Sequence, residues 1–333
     1  MLSSPKRLGA LAFTAALLVG ACSSGSGGSA GPSAAGSIAA PSVAAPSAAA
    51  SSAESMVPSA AASAAASQGA APSNSATCTA GSITAGGSTA LQPLVDKAGK
   101  DYQTLCPGST VSVQGGGSGT GLTQVAAGTF NIGNSDVTAE SKLDASAAAT
   151  LVNHNVAVQG WIMVNNPSVT GVTNLTTQQA TDIWTGKITN WKDIPGGPDL
   201  PIVLILRPAS SGTRATFKAI VLGGKDEAAG QALTEDSNGA VTQAIKSTPG
   251  GTSVIGFAYY QANKSGVTGL QLDGVDATVA NMTNGTYKLQ AVGHAYTKGT
   301  PTGLTDSFMQ YLLGPYVQQV TIPSLFYAPA PAQ

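Results

Sequence analysis

Between Ser23 and Ala76 the chain is built almost wholly from four residue types: 47 of these 54 residues are Ala, Gly, Ser or Pro, and only Glu54 is charged. Such a stretch has no helical or strand period and too little apolar area to offset the entropy of ordering it. Pro32, Pro41, Pro46, Pro58 and Pro72 interrupt any helix its alanines favour. Residues 22–76 are therefore expected to be a disordered Ala/Ser/Gly/Pro tether, with a root-mean-square span of about 40 Å for a flexible coil. What remains to fold is 77–333, which is 257 residues with 13 basic and 15 acidic side chains. That length suits two lobes of about 100–150 residues each.

Upstream of the tether, Lys6 and Arg7 precede an apolar run from Leu8 to Ala21. Its length fits the hydrophobic region of a signal peptide and is too short to span a bilayer unaided, so 1–21 is expected to be a signal peptide. Val19-Gly20-Ala21-Cys22 resembles the lipobox of bacterial lipoproteins. The resemblance implies lipidation of Cys22 and a protein held on the extracytoplasmic face of the cell membrane by acyl chains. An ordinary signal peptide followed by an unmodified cysteine is the alternative. Export would place Cys78 and Cys106 in an oxidising compartment, where a pair is normally bridged. Closing that loop would contribute roughly 3 kcal/mol in the chain-entropy description. Two reduced, buried thiols are the other reading.

Charge and side-chain inventory narrow the function. The near balance of acids and bases leaves no basic stripe for a phosphate backbone, so nucleic acid is not an expected partner. With His154 and His294 the only histidines and three cysteines in all, neither a His-rich metal site nor a four-cysteine zinc site is possible. No cofactor is expected. His154 reads as a hinge or surface residue, and Trp161, Trp184 and Trp191 as packing residues.

Short apolar runs suggest strands at Ser82–Ala85, Thr110–Gln114, Val156–Val164, Ile202–Leu206, Val254–Ala258 and Lys288–His294, alternating with helices, hence an α/β fold. Three of the strand-to-helix junctions are rich in glycine and hydroxyls. Gly86-Gly87-Ser88-Thr89-Ala90 opens a helix through Leu91, Leu94, Val95, Ala98 and Tyr102. Gly115-Gly116-Gly117-Ser118-Gly119-Thr120-Gly121 opens one through Leu122 and Val125, and Arg207 to Arg214 opens one through Phe217 and Ile220. A helix N-terminus presents unpaired N–H groups and a partial positive charge, and glycine lets a ligand approach them. Each junction alone is satisfied by ordinary capping. Three in one chain point to a small oxyanion held by converging helix starts. None carries the Lys-Ser or Lys-Thr of a nucleotide-binding P-loop.

Asp136, in Gly133-Asn134-Ser135-Asp136, discriminates among oxyanions. A carboxylate beside an anion site is useful if the ligand carries a proton, as HPO₄²⁻ and H₂PO₄⁻ do. Sulfate has no such proton at neutral pH. A site that pairs a specific ligand hydrogen rejects analogues lacking it by about 10⁴–10⁵. Taken alone, Asp136 is more readily read as a solvated turn or cap acid.

At these residues the chain resembles the phosphate-binding proteins of bacterial phosphate ABC importers, a branch of the periplasmic-binding-protein superfamily, in its lipid-anchored Gram-positive form. Gly-Ser-Thr-Ala at 87–90, Gly-Gly-Gly-Ser-Gly-Thr-Gly at 115–121 and Ile-Gly-Asn-Ser-Asp-Val at 132–137 carry the likeness, with Asp-Ile-Trp-Thr-Gly-Lys-Ile-Thr-Asn-Trp at 182–191 and Arg207 through Arg214. In order and spacing they cover most of 80–270. The resemblance implies a two-lobed type II binding-protein fold, each lobe a mixed sheet flanked by helices, with the ligand in the cleft. Lobe 1 is expected at 77–155 and 262–333 and lobe 2 at 156–261, with crossings at His154–Val164 and Gly256–Tyr260. It further implies a phosphate site of Ser88, Thr89, Ala90, Ser118, Asp136, Arg207, Ser211, Gly212, Thr213 and Arg214, with Asp136 taking the ligand proton and Arg214 a second candidate cation. Some relatives carry an acid two places after the arginine that orients it; Ala209 stands there in this chain. Ser210 also replaces the glycine before Ser-Gly-Thr.

The expected activity is capture of inorganic phosphate and its delivery to ABC importer permease subunits, by a monomer. A receptor for another tetrahedral oxyanion is the alternative. A secreted phosphatase-type enzyme would need a metal cluster or an activated nucleophile, which two histidines and scattered acids do not supply.

Overall fold

The protein is described by a computed structural model over residues 71–228 and 233–331. The expected signal peptide, Cys22 and most of the expected tether lie outside these residues.

A parallel three-strand unit starts the fold. β1 (Gly81–Gly87) pairs with β2 (Ser109–Gln114) on one side and β3 (Ile132–Ser135) on the other. The crossovers are α1 (Gln92–Leu105) and α2 (Ser118–Ala126), and α3 (Ala145–Ala148) follows β3. β4 (Leu151–Asn165) then runs for 15 residues and is succeeded by β5 (Asn174–Leu175), α4 (Thr177–Trp184), β6 (Val203–Leu206) and α5 (Gly212–Ile220). Next come β7 (Leu233–Thr234), α6 (Asn238–Ser247), β8 (Gly251–Gly256) and α7 (Phe257–Asn263). The chain closes with β9 (Thr268–Gly269), β10 (Gln271–Leu272), α8 (Val279–Thr283), β11 (Gln290–Lys298), α9 (Gly303–Leu312), α10 (Ile322–Ser324) and β12 (Ala328–Pro329).

One mixed sheet links nearly all of it, in the order β2-β1-β3-β11-β4-β8-β6-β7, with β9 and β12 also on β4. β4 divides its pairing. Leu151–Gly160 runs antiparallel to β11, whereas Trp161–Asn165 runs antiparallel to β8. The same strand therefore serves two cores. Val156 and Ala157 pack with Leu94, Tyr102, Phe308 and Tyr327, while Trp161, Met163 and Val164 pack with Trp184, Trp191, Phe217 and Ile255. All three tryptophans are buried. Beyond α7, Val267, Leu270, Leu272, Met282, Tyr287 and Leu289 join the core of Trp161, and Ala295 begins the return to the core of Tyr102.

Local differences from the sequence reading have physical reasons. The apolar run Val254–Ala258 is a strand only to Gly256, and Phe257 and Ala258 turn into α7 to reach the core. β4 starts at Leu151, five residues before the apolar run, because backbone pairing with β11 sustains the exposed part. β3 is too short to show alternation, and all four of its residues are buried.

Cys78 and Cys106 have Cα atoms 5.1 Å apart, with their sulfurs at bonding distance, and Cys106 caps the C-terminus of α1. Docking of the chain begins slightly upstream: Tyr311 Oη donates to Asn74 Oδ1 at 2.9 Å and Ala76 packs against the core. Among the described residues no helix is long and apolar enough to cross a membrane, and no three His, Cys, Asp or Glu side chains group as metal ligands.

Candidate functional site

The glycine-rich junctions exist so that helices can sit directly on strands. Gly87 has φ +131°, and a Cβ there would collide with the Asn134 carbonyl and lie 2.8 Å from the Gly121 Cα. Glycine at 87 and 121 thus brings the start of α2 against the ends of β1 and β3. Ser88, Thr89 and Ala90 form the turn before α1, and the Ser88 hydroxyl accepts from the Ala90 and Leu91 N–H groups at 3.1 Å each. Ser118 opens α2, and its hydroxyl accepts from the Asp136 N–H at 2.9 Å. Ser211 caps α5, accepting from the Arg214 N–H at 3.2 Å.

These pieces converge on Asp136, which is 3% exposed. Its Oδ1 accepts from the Ser88 hydroxyl and from Gln159 Nε2, the latter at 3.0 Å. Its Oδ2 accepts from the Thr213 hydroxyl at 3.2 Å. Thr213 is in turn fixed by Trp161 Nε1, which donates to its Oγ1 at 3.0 Å. Burial pushes the Asp136 carboxyl above its ordinary value, against the pull of Ser88, Gln159, Arg207 and Thr213. Desolvation wins, which leaves a carboxyl group disposed to hold or share a proton.

Gly212 faces this cluster from the opposite core. A Cβ added to it would run into Ser118 Oγ and stand 2.8 Å from Asp136 Oδ2. Glycine at 212 therefore lets the start of α5 pack directly against the Asp136 carboxylate and the Ser118 hydroxyl, where no side chain fits. Further bonds tie the two sides: Gly119 N–H donates to the Ser210 carbonyl at 2.8 Å, and Lys142 Nζ donates to the Ala209 carbonyl at 2.8 Å. Burial and Arg214 push the Lys142 ammonium below its usual range, with Asp136 acting in the other direction.

Arg207 is 4% exposed. Its Nη2 donates to the Asp236 carbonyl at 2.9 Å and approaches Thr89 Oγ1 at 3.5 Å, while Nη1 approaches Asn238 Oδ1 at 3.4 Å. Burial works against its charge, and Asp136 and Asp236 offset that. Guanidinium stays protonated over the whole working range. Arg214 does not join the cluster. Its Nε donates to Glu227 Oε2 at 2.7 Å and its Nη1 to the Arg207 carbonyl at 2.8 Å, so it braces the loop below Arg207.

The structure thus brings together Ser88, Thr89, Ala90, Ser118, Asp136, Arg207, Ser211, Gly212 and Thr213, and turns Arg214 toward an acid of its own lobe. Gln159 and Asn238 stand in the same cluster without having been singled out by sequence. Gln159 comes from β4, where its amide is one polar group in an apolar strand. Asn238 comes from Ser237-Asn238-Gly239, a capped helix start that lacks the long glycine run of the others.

Residues 72–315 match the PBP superfamily domain. The chain is 43% identical over 242 residues to the phosphate-binding protein PstS of Bacillus subtilis, across 73% of this chain and 78% of that protein. It is 29% identical over 203 residues to PstS of Borreliella burgdorferi, across 57% and 68%. Among solved structures, a Clostridium perfringens protein assigned as a phosphate ABC transporter substrate-binding protein, with bound phosphate, superposes with a TM-score of 0.66 at 27% identity, covering 75% of this chain and 100% of that one. An ABC-type phosphate transport receptor of Vibrio cholerae gives 0.57 at 29% identity, over 74% and 99%.

Proposed function

The chain belongs to the PBP superfamily and, within it, to the phosphate-binding PstS family, and on that premise we propose how this molecule works. It is an extracytoplasmic solute-binding protein that captures inorganic phosphate and delivers it to an ABC importer. Its relatives are transport receptors, not enzymes. The observation that carries the reading is Asp136: a buried carboxylate set among donors, beside Arg207, where helix starts from two cores meet.

Each group has a task in that scheme. The turn at Thr89 and Ala90 and the starts of α2 and α5 offer N–H groups and hydroxyls to the phosphate oxygens. Arg207 supplies the charge, and Gly212 lets the start of α5 come close to Ser118 and Asp136. Asp136 shares the ligand's proton, either as carboxylate with a P–OH group or as carboxylic acid with the dianion. Burial of the Asp136 carboxyl supports this, because desolvation disfavours a bare carboxylate and favours one that shares a proton. Arg214 takes the role of brace instead of ligand.

The packing supports a division into a first lobe of 77–157 with about 295–331 and a second that runs on to about 291 instead of 261, since Val267 to Leu289 and Ala291 pack around Trp161. The chain works as a monomer, bridged between Cys78 and Cys106 and held on the membrane through a lipid on Cys22. Calorimetry tests the central reading. Titration with phosphate should give saturable binding and titration with sulfate none at matched concentration; sulfate bound as well as phosphate would move the protein to another oxyanion.

A further inference from the structure

Residue 209, two places after Arg207, is alanine and offers the guanidinium no side-chain acceptor. The acceptors it uses are the Asp236 carbonyl and Asn238 Oδ1. We infer that Asn238 is a direct ligand of the bound phosphate, its Nδ2 donating across the cleft from the N-terminus of α6, so that a fourth helix start completes the site. This rests on the phosphate reading above.

The amide's orientation is forced. Asn238 Oδ1 faces two donors, Arg207 Nη1 at 3.4 Å and the Gly256 N–H at 3.2 Å. Only the oxygen can face them, so Nδ2 must lie on the other side. There it has no partner, although Asn238 is 1% exposed. Arg207 Nε is likewise buried with no partner. Burying unpaired donors is costly, and native folds rarely do so without a reason.

The position of Nδ2 identifies the reason. A Cβ added to Gly256 would lie 3.5 Å from Nδ2 and 3.0 Å from the Ala90 Cβ. The Asn238 amide therefore lies beside the Ala90 turn, with Gly256 packed closely against both. On the outer side, Thr89, Gln92, Asp96, Asn238 and Tyr259 line a cavity of about 360 Å³. Asn238 thus lines this opening while its Oδ1 faces Arg207. The Asn238 N–H, at 3.4 Å from Thr89 Oγ1, also ties α6 to the turn before α1. A neutral amide suits the place. It leaves the positive charge of Arg207 undiminished for the ligand, which a carboxylate partner would partly cancel.

The test compares three proteins by calorimetry with inorganic phosphate: the parent, Asn238→Ala and Asn238→Asp. Loss of one hydrogen bond to a charged ligand weakens binding about tenfold to hundredfold, which is the expectation for Asn238→Ala. Asn238→Asp keeps the acceptor for Arg207 and Gly256 but sets lone pairs against the ligand, so it should bind more weakly than Asn238→Ala. In parent protein carrying ¹⁵N-asparagine, phosphate should shift the Asn238 side-chain N–H signals and slow their exchange, a measurement that needs no variant to fold. Unmoved Asn238 signals on saturation, or Asn238→Asp binding at least as tightly as Asn238→Ala, would reduce Asn238 to a positioning residue for Arg207 and overturn the inference while leaving phosphate capture intact. A parent protein that binds no phosphate overturns both readings.

Discussion

Tyr327 Oη donates to the Ala90 carbonyl at 2.5 Å, so a residue near the C-terminus holds the turn that opens the first helix. Both residues are buried, Tyr327 at 1% exposed, and β12 beside it pairs with Val158 and Ala157 of β4. Burial drives the Tyr327 phenol far above its ordinary titration, so it remains a donor throughout. Tyr327→Phe strands the Ala90 carbonyl. It should cost about 1–3 kcal/mol of stability, read as a lower denaturation midpoint in urea, and weaken phosphate binding because the turn at Thr89 and Ala90 loses its anchor. Unchanged unfolding and binding would show that another donor replaces the phenol.

Asp136→Asn separates ligand recognition from stability. Unfolded, the carboxyl titrates near 3.8; in the fold, burial raises that value. Between the two, the native chain keeps a proton that the unfolded chain has lost, so stability falls as pH rises through this window. The Asn variant carries no such charge. In phosphate-free buffer it should melt above the parent at neutral pH, with the gap closing as pH is lowered toward 3.8. A pH-independent gap would refute the buried-charge argument. The same variant should bind phosphate more weakly and discriminate less between phosphate and sulfate, since its amide N–H groups cannot accept the ligand's proton.

The framework of this site was legible in the sequence because it is made of local signals. Glycine and hydroxyl runs at Gly86–Ala90, Gly115–Gly121 and Ser211–Thr213 mark helix starts, and each is found at one. The sequence also singled out Asp136, and the structure buries it among Ser88, Gln159 and Thr213 instead of leaving it a solvated turn acid. The partners of those groups were not legible. Gln159 meets Asp136 only because β4 passes between both cores, and Asn238 meets Arg207 only because α6 packs beside β6. Neither relation leaves a mark in local spacing. Arg214 shows the reverse: its motif suggests a ligand cation, but Glu227, thirteen residues on, claims it. Where the second core ends depended on Val267 to Leu289, which turn back onto β4 without a distinctive pattern of their own.

Cys78 and Cys106 give a prediction on the exported protein. Alkylation after denaturation, without reductant, should label neither residue, and labelling of both would exclude the bridge. Reduction should lower stability by roughly 3 kcal/mol for a loop of this length. The effect belongs to the first core, because Cys106 ends α1 and is buried beside Tyr102.

Lys142 offers a kinetic prediction. Its Nζ donates across the cleft to the Ala209 carbonyl at 2.8 Å, and burial already opposes its charge. Neither group is placed on the ligand. Lys142→Ala should therefore leave the association rate nearly unchanged and speed dissociation, by about fivefold for a bond of about 1 kcal/mol. Stopped-flow release of phosphate into a trap reads this directly, and an unaltered off-rate would show that the latch contributes nothing.

Gly212→Ala tests whether the close approach of α5 to Ser118 and Asp136 belongs to the ligand-closed state. Gly212 begins α5 with a helical backbone, so alanine there carries no conformational strain and removes the entropy cost of glycine in the unfolded chain. The added methyl has room only if the two sides separate, because it would stand against Ser118 Oγ and 2.6 Å from the Asp136 Cβ. Stability of the ligand-free protein should thus hold or rise slightly, while closure around phosphate is obstructed. Overpacking of this kind costs about 1–3 kcal/mol, equivalent to a loss of about fivefold to hundredfold in affinity. Calorimetry and small-angle scattering with and without phosphate decide it: the parent should contract on binding and the variant should not. A variant that binds and contracts like the parent would show that closure around phosphate does not need the close contact at Gly212.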